Sequence, residues 1–515
     1  MAKSIFFQRF FIVFLLNFFA FPTHLKSQSI SVKKMEQLAE EKFPDALSNL
    51  TTFLRLPNNG NFPDQVQENL EYCDSIFRLL NFKTQVLETP GAPLLFAEKL
   101  SSKKDKTILF YLQIDGQPVD TLEWDQADPF DPVIKSKAAD GQWKKIPQEG
   151  ETIKFDPEFR IFARSASDSK GPAMAFISAL QILKAQGLHP QFNIKVIMDF
   201  QEELGSPHLP EAVKNHKKLL VADYLLIMDG TRHLSNWPTI TYGARGIATA
   251  SLRIFGPKTP LHSGQYGNFA PNPIFEASKL IGSLKDASGR VTLPGFYDGI
   301  KLSEKEKTAL NSLPENEDSL KLRLGISKAD RVGASYQEAL QYPTLNIRGL
   351  RSAWVGKEVR TVIPDEMLIE FDLRLVPESD GERLIGLLRK HIVNQGYHLV
   401  DSIPTEKERQ DFPKLANFKY RLGSLPFRTN MDSELGRYLN KAMEKVFGKR
   451  VVNMRSTGGS QPVAPFVHSL GVPAVSIRIP NPDNSIHAPN ENLRFGNYLE
   501  GILMCLAILN QPTSH

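Results

Sequence analysis

The sequence predicts an α/β protein with a largely buried sheet and a small α+β domain inserted into it. The first observation is that apolar stretches with strand spacing alternate with amphipathic stretches of helical spacing. The second is a change of texture near Tyr242, after which the α/β alternation resumes only from about Asn430. The third is length, because 515 residues are too many for one compact core. We therefore expect a main domain at 29–242 and 425–515 and an inserted domain at 243–424.

The main domain is predicted from helical and strand periodicities that follow one another along the chain. Its first part contains, in order, helices Ser31–Leu54 and Asp64–Leu80, strands Phe82–Leu87 and Leu94–Glu98, the strand from Thr107 to Asp115, helix Gly171–Lys184, and strands Phe192–Phe200 and Tyr224–Met228. A Pro- and Asp-rich stretch, Gly116–Pro157, is predicted to be a loop. After the insertion the predicted elements are helix Ser433–Phe447, strand Ala474–Ile477 and helix Tyr498–Leu509.

The inserted domain is predicted from a second set of strands and helices with one polar and one apolar face. Its elements are strand Ile247–Ile254, helix Asn272–Lys285, strand Met367–Leu375, helix Gly381–Gln395 and strand Tyr397–Asp401. The polar, irregular stretch Asp286–Tyr342 is expected to wrap over the surface.

Composition and charge exclude some classes of protein. The chain is 41% hydrophobic and 23% charged, which is typical of a folded globular protein. Its net charge of +5 falls to +2 without the three basic residues of positions 1–27 (5 − 3), so we expect no nucleic-acid partner. Cys73 and Cys505 both lie in apolar helical patterns and are expected to be buried thiols, with a single disulfide as the alternative.

Residues 1–27 resemble an export signal. Lys3 and Arg9 make a basic start, Phe10–Phe21 is apolar except at Asn17, and Pro22 ends the run. As a helix this run would be about 18 Å long, shorter than the ~30 Å hydrocarbon core of a membrane. The sequence therefore predicts an exported protein, periplasmic or secreted, that contacts a membrane only if this leader stays uncleaved.

Polar residues that bind metals or transfer protons stand at the ends of predicted strands and in Gly-rich loops. Gln113 and Asp115 project from one face of a strand end, because residues two apart share a face. The other candidates downstream are Asp168, Glu202, Glu203, Asp229, His262 and His487. Such a set can hold two divalent ions and leave one free carboxylate as a general base. Taken singly, each residue is also typical of a turn, a loop or a solvated surface.

The order and context of these residues resemble those of a known family. The matching stretches include YLQIDGQP, RSASDSKGP, FQEELGSP, IMDG, PLHSGQYG, GRVTLPGFYDG, TGGSQP and IHAPNEN. They are similar to the carnosinase-type dipeptidases, within the larger family of dinuclear zinc exopeptidases and deacylases. The resemblance covers nearly everything after the leader. It implies a zinc-exopeptidase-like catalytic domain and an inserted, ferredoxin-like α+β domain that acts as a lid and forms a homodimer.

The resemblance also implies a metal ligand for each position. Asp168 would bridge two ions, Glu203 and His487 would complete one site, and Asp229 would serve the other. Gln113 stands where the family has histidine. An amide oxygen is a weaker zinc ligand than imidazole, so the second site is expected to bind its ion less tightly. Zinc is the expected metal, with manganese and cobalt as alternatives.

The same resemblance implies the catalytic and substrate-binding roles. Glu202 would be the general base, Asp115 would orient the ligands, and His262 would stabilise the oxyanion in the partner subunit's site. Arg374 would bind the substrate carboxylate, and the alternative for it is an ion pair with Glu370 or Asp372. The remaining pocket residues would be Thr361, Gly459 and Ser460.

The predicted function is metal-dependent hydrolysis of peptide bonds in dipeptides or short peptides that have a free carboxylate. One alternative is an N-acyl-amino-acid deacylase, because its substrates also offer an amide and a carboxylate. The other is a non-catalytic binding protein that has lost a metal ligand but kept the fold.

Overall fold

An eight-stranded mixed sheet between two helical layers forms the centre of the protein. The computed structural model describes residues 30–102, 105–146 and 154–512. Up to residue 242 its helices are α1 (Val32–Leu54), α2 (Pro63–Leu79), α3 (Lys170–Ala185), α4 (Leu209–Asn215) and α5 (Lys217–Leu220). The strands of this part are β1 (Lys83–Leu87), β2 (Leu94–Lys99), β3 (Thr107–Gln113), β4 (Val133–Lys137), β5 (Trp143–Lys145), β6 (Arg160–Phe162), β7 (Asn193–Asp199), β8 (Tyr224–Ile227) and β9 (Thr239–Thr241).

The rest of the chain adds a second sheet and then returns to the first. Between 243 and 424 lie strands β10 (Gly243–Ala244), β11 (Gly246–Phe255), β12 (Leu261–His262), β13 (Thr344–Arg351), β14 (Val362–Ile363), β15 (Glu366–Leu375), β16 (His398–Leu399) and β17 (Leu415–Leu422). The helices there are α6 (Ser263–Tyr266), α7 (Pro273–Gly282), α8 (Glu304–Asn311), α9 (Glu317–Leu324), α10 (Tyr336–Ala339), α11 (Gly381–Asn394) and α12 (Glu406–Asp411). The last part contains β18 (Phe427–Arg428), α13 (Glu434–Phe447), β19 (Val452–Met454), α14 (Ala464–Leu470), β20 (Ala474–Arg478), β21 (Asn492–Arg494) and α15 (Phe495–Asn510).

The central sheet has the strand order β1-β2-β7-β3-β8-β20-β9-β19. Its middle strands β7, β3, β8 and β20 run parallel, and their apolar runs are buried on both faces, as expected for parallel strands. Parallel strands end at one common edge of the sheet, where α/β proteins place their functional side chains. The loops after β3, β7 and β8 carry Asp115, the Glu202–Glu203 pair and Asp229 to that edge.

The alternation of side chains along the strands divides the core into two layers. In β3, Phe110 points into the layer that contains helices α1, α3, α13 and α15, whereas Tyr111 points into the layer that contains α4, α5 and α14. Phe110 stacks on Phe176 of α3 with ring centroids 4.4 Å apart. The α/β class that the sequence predicts is confirmed by this three-layer arrangement.

The second sheet has the strand order β13-β15-β11-β17-β16. Strands β11 and β15 alternate strictly between buried and half-buried residues, and α7 and α11 pack against the buried side. Strands β11, β13, β15 and β17 with the two helices between them have the ferredoxin-like connectivity that the family resemblance implies. We retain the boundaries 29–242, 243–424 and 425–515 as a proposal, since this sheet lies within the middle segment.

Two long stretches that were expected to be irregular contain regular elements. The segment Gly116–Pro157, expected to be a loop, contains β4 and β5, which join β6 and β21 in a four-stranded sheet. The segment Asp286–Tyr342 contains the short helices α8, α9 and α10. These elements are short, so their periodicity is too brief to recognise, although Ser303 and Glu306 form a capping box that marks the start of α8.

Other expectations concern the thiols and the membrane. Cys73 and Cys505 are buried and free, as expected. Among the described residues, no helix combines the length and the apolar character needed to cross a membrane. The predicted leader, residues 1–27, lies outside the described residues.

Candidate metal centre and substrate pocket

Asp168 is held in place by a buried carboxylate. It lies in the loop between β6 and α3, and its backbone N–H donates to Glu491 Oε1 at 2.8 Å. The carboxylate of Glu491 also accepts hydrogen bonds from Arg164, from both the hydroxyl and the backbone N–H of Ser167, and from the backbone of Ser165. Glu491 is completely buried, so its negative charge is matched by these donors and by Arg164. The result is a rigid loop that presents the Asp168 side chain.

The Glu202–Glu203 turn is fixed by Asp115. The turn follows β7, and Asp115 accepts the backbone N–H of Glu202 at 2.9 Å and that of Glu203 at 3.1 Å. Asp115 is 1% exposed. Its carboxylate thereby orients two adjacent acidic residues through their backbone.

His487 joins the two acidic segments. Its Nε2 lies 2.9 Å from Asp168 Oδ2 and 3.3 Å from Glu203 Oε2. One ligand atom from each of these three residues lies within 4.8 Å of the other two. Hydrogen bonds to Asp168 and then to Glu203 raise the pKa of His487 to about 10. In the metal-free protein the imidazolium therefore stands between the carboxylates that a cation would bind.

The donors of this cluster fit a divalent ion. Glu203 Oε1 is buried and has no hydrogen-bond partner among the described residues, although a buried carboxylate oxygen needs a donor or a cation. Burial, followed by the charges of Asp229 and Asp168, raises the pKa of Glu202 well above its usual range. Burial also raises the pKa of Asp168, with Glu203 and Asp229 adding to the effect. Carboxylate oxygens and one imidazole are an ordinary ligand set for zinc or manganese.

Asp229 and Gln113 have different surroundings. Asp229 Oδ1 accepts from the Ser169 hydroxyl at 2.8 Å, and its Oδ2 accepts from Gln461 Nε2 at 2.8 Å. Gln113 is 1% exposed, and its Nε2 has no partner among the described residues. Both Asp229 oxygens are thus already hydrogen-bonded, which is a poorer fit to a second ion than the first cluster offers.

Two arginines form hydrogen bonds with the 456–460 loop. Arg374 Nη1 donates to Ser460 Oγ at 3.3 Å. Arg245 donates through Nε to the carbonyl of Gly458 and through its backbone to that of Gly459. Burial, with the nearby charge of Arg374 second, lowers the pKa of Arg245 to about 10. The pair places two positive charges beside this loop.

The alternative for Arg374 is excluded by its neighbours on the strand face. Glu370 pairs with Arg348 at 3.5 Å, and Asp372 accepts from Asn346 at 3.0 Å. Among the described residues, Arg374 forms no ion pair with either carboxylate. Its guanidinium is therefore available to a ligand.

His262 and Thr361 lie together on the small β12–β14 ribbon. The backbone N–H of Ser263 donates to Thr361 O, and both His262 and Thr361 are exposed. His262 Nδ1 accepts from Gly264 N, and within the described part of the chain His262 forms no ion pair with an acidic residue. The structure of one chain therefore does not bring these two residues into the acidic cluster.

Several residues at the site were not singled out in the sequence analysis. Glu491 lies in the IHAPNEN motif and could have been found there. Ser169 lies in RSASDSKGP and Gln461 in TGGSQP, but their hydrogen bonds to Asp229 connect residues far apart in the chain. Arg245 gave no local signal, because its role depends on a loop more than 200 residues later.

Comparisons with known proteins agree with this geometry. A family model described as "Peptidase family M20/M25/M40" matches residues 109–511. The Cys-Gly metallodipeptidase dug1 of Schizosaccharomyces pombe is 25% identical over 504 residues, covering 94% of this chain and 99% of the relative. The human Beta-Ala-His dipeptidase is 27% identical over 465 residues, covering 85% of each chain.

Solved structures give the same result for the fold. An M20 family metallo-carboxypeptidase of Sulfolobus solfataricus, Sso-CP2, superposes with a TM-score of 0.73 at 28% identity, covering 90% of this chain and 98% of the other. Human carnosine dipeptidase 1 superposes with a TM-score of 0.72 at 23% identity, covering 93% of this chain and 98% of the other. At that identity the second likeness concerns the fold alone.

The comparisons also correct one expectation. The sequence analysis predicted export through residues 1–27. The relatives contradict this prediction, because the Cys-Gly metallodipeptidases of three yeasts that match this chain are cytosolic enzymes. The apolar run at Phe10–Phe21 has the composition of a signal segment, but composition alone does not establish one.

Proposed function

The chain belongs to peptidase family M20/M25/M40 and is a metal-dependent peptide hydrolase, and from this premise we propose dipeptides with a free carboxylate as its substrates. The observation that carries the proposal is the cluster of the buried Asp168, the half-buried Glu203 and the exposed His487, with Glu202 beside it. The metallodipeptidases among the relatives support the same substrate class.

We propose that Asp168, Glu203 and His487 hold the ion, with zinc as the expected metal and manganese or cobalt as alternatives. A bound divalent ion would supply Lewis acidity for the scissile carbonyl and for the attacking water. Glu202 takes the proton of that water and passes it to the leaving amine, because it is the acid of the turn that makes no contact with His487. Asp115 positions Glu202 through the backbone hydrogen bond described above.

Arg374 binds the carboxylate end of the peptide. Its planar fork matches a carboxylate, and its hydrogen bond to Ser460 points it toward the loop that also contains Gly459. Arg245 adds positive charge on the other side of the loop. This arrangement favours substrates whose scissile amide is a short, fixed distance from a carboxylate, as it is in a dipeptide.

We propose that the 243–424 segment forms a lid and the interface of a homodimer. His262 is exposed and away from the acidic cluster of its own chain, yet it caps α6 on a ribbon next to Thr361. An exposed histidine in this position is available to the site of the partner subunit, where it would stabilise the oxyanion.

The test uses the full chain, stripped of metal and reloaded with zinc, manganese or cobalt. The panel contains Cys-Gly and β-Ala-His, the same dipeptides with an amidated carboxyl end, and N-acetyl-amino acids. We expect hydrolysis of free dipeptides only in the presence of metal, and a loss of at least ~10-fold for the amidated substrates, since each lost charge-assisted bond is worth ~1.5–3 kcal/mol.

Two results would overturn the proposal. Cleavage of N-acetyl-amino acids with no cleavage of dipeptides would make the protein a deacylase. Equal rates of hydrolysis for free and amidated dipeptides would show that Arg374 does not bind the substrate carboxylate.

A further inference from the structure

We propose that the centre of this protein holds a single divalent ion, at Asp168, Glu203 and His487, and that the buried guanidinium of Arg478 replaces the second cation. The proposal rests on the proposed function for the first ion only. It departs from the family resemblance, which implies two ions, and it is carried by the surroundings of Asp229, Gln113 and Arg478.

Asp229 is occupied by neutral donors. A carboxylate only accepts hydrogen bonds, so the Gln461 group 2.8 Å from its Oδ2 has to be the amide nitrogen. The Gln461 oxygen then faces Ser476 Oγ at 3.4 Å. The Ser169 hydroxyl lies 2.8 Å from the other Asp229 oxygen and 3.0 Å from Asp168 Oδ1. Ser169 thus fills the space between the two carboxylates that a second ion would have to bind.

Gln113 removes the remaining ligand of the second position. It stands where the resemblance implies histidine, and its buried Nε2 has no hydrogen-bond partner within the described residues. An amide nitrogen is a donor and has no lone pair to offer a cation. A second ion could therefore be bound only by the neutral amide oxygen of Gln113 and by Asp229. Asp229 would first have to break its hydrogen bonds to Ser169 and Gln461.

Arg478 brings a positive charge to the same place. It is the last residue of β20, opposite Thr239 in the ladder, and it is 5% exposed. Its Nε and Nη2 are buried without a partner among the described residues. Its Nη1 lies 1.2 Å from the position that a Cβ on Gly230 would occupy, so the guanidinium lies directly against the residue after Asp229.

The charges that face Arg478 are those of the acidic cluster. Burial lowers the pKa of the Arg478 guanidinium, and the negative charges of Asp229 and then Asp168 act in the opposite direction. A buried cation is costly unless carboxylates compensate it. Among the described residues no carboxylate forms an ion pair with Arg478, so Asp229 and Asp168 act on its charge from a longer distance. A second divalent ion at the same carboxylates would be repelled by the guanidinium, because like charges in a buried site are poorly screened. The charge of Arg478 therefore disfavours a second ion at these carboxylates.

The test counts metal ions per chain. The full-length protein is stripped with a chelator, reloaded with excess zinc or manganese and desalted, and its metal content is measured by plasma mass spectrometry, with native mass spectrometry for the distribution. We expect one ion per chain in the parent protein and one in Gln113→His. The double variant Gln113→His with Arg478→Met should bind two, because the ligand is restored and the positive charge is gone.

The matched control keeps the charge. Gln113→His with Arg478→Lys should bind one ion, as the parent does. Two tightly bound ions in the parent protein would overturn the proposal, and so would a double Met variant that folds and still binds one. If that variant does not fold, the number of ions bound by the parent protein and by Gln113→His still tests the proposal. A parent that binds no ion would contradict the proposed metal-dependent function itself, which is a different failure.

Discussion

At the scale of single residues, Glu202 and Glu203 are adjacent yet differ in their surroundings. The pKa of Glu202 is raised by burial and by neighbouring carboxylates. Burial also acts to raise the pKa of Glu203, but the hydrogen bond and charge of His487 hold it below its usual range. Glu203 is thus kept as an anion that can bind a cation, while the raised pKa of Glu202 is consistent with a group that accepts a proton. This difference supports the two roles that we propose and that the sequence could not distinguish without a family resemblance.

The first prediction concerns this pair. Glu202→Gln keeps the shape of the side chain but removes the basic oxygen, so dipeptide hydrolysis should fall by at least ~10²-fold, the low end for general acid–base catalysis. The variant should retain its metal and its fold. Glu203→Gln should instead lose metal, since it removes a charged ligand. Steady-state kinetics and metal analysis of both variants test this prediction. If Glu202→Gln keeps most of the activity, another group is the base.

The second prediction concerns pH and metal affinity. The pKa of His487 is about 10 in the metal-free protein, so at neutral pH a metal ion has to displace its proton. The affinity should fall as the pH is lowered and rise toward about pH 10, with about one proton released per ion at neutral pH. Calorimetric titration of the metal-free protein in buffers of different ionisation enthalpy measures this release. An affinity that is constant between about pH 6 and pH 9 would contradict it.

At the scale of elements, the loop between β6 and α3 depends on Glu491. The loop sequence RSASDSK was recognised as a place for a metal ligand, but the sequence did not indicate what holds it. The answer lies more than 300 residues away, where Glu491 accepts the backbone N–H groups of the loop and pairs with Arg164 at 2.8 Å. A metal site needs such support, because small shifts of a ligand reduce affinity.

The third prediction is that Glu491→Gln destabilises the protein by about 3–5 kcal/mol, since it leaves the charge of Arg164 buried and unpaired. Denaturant unfolding of the metal-free variant measures the loss. The control is Asp74→Asn, which breaks the exposed Asp74–Arg78 pair on α2 and should cost no more than about 1 kcal/mol. Equal, small effects for both variants would show that Glu491 does not support the loop.

At the scale of the whole molecule, one chain brings together the candidate metal cluster and places two arginines beside the 456–460 loop, but His262 is not part of that cluster. The ribbon that carries His262 belongs to the segment of the second sheet, and its exposed position leaves it available to another chain. A homodimer in which each segment 243–424 reaches the other subunit would complete both sites at once.

The fourth prediction tests this assembly. Light scattering should show a dimer at micromolar concentration. His262→Ala and Glu202→Gln should each be inactive alone, and a mixture of the two should recover part of the activity, because one mixed dimer site would have both groups intact. A mixture that stays inactive although its subunits exchange would show that His262 does not act across the interface.

The sequence by itself determined the α/β class, the order of the main helices and strands, and the acidic residues of the centre. It could do so because burial imposes a periodicity on each element, and because the order and context of the candidate ligands resemble those of a known family. The short strands β4 and β5 and the helices α8 to α10 escaped it, since their periodicity is too brief, and the longer strands β13 and β17 were not predicted either. Only the tertiary structure decided which groups face Asp229, because Ser169, Gln461 and Arg478 come together through strand pairing and loop packing. Contacts between residues far apart in the chain leave no local pattern, and they decide how many cations the centre can hold.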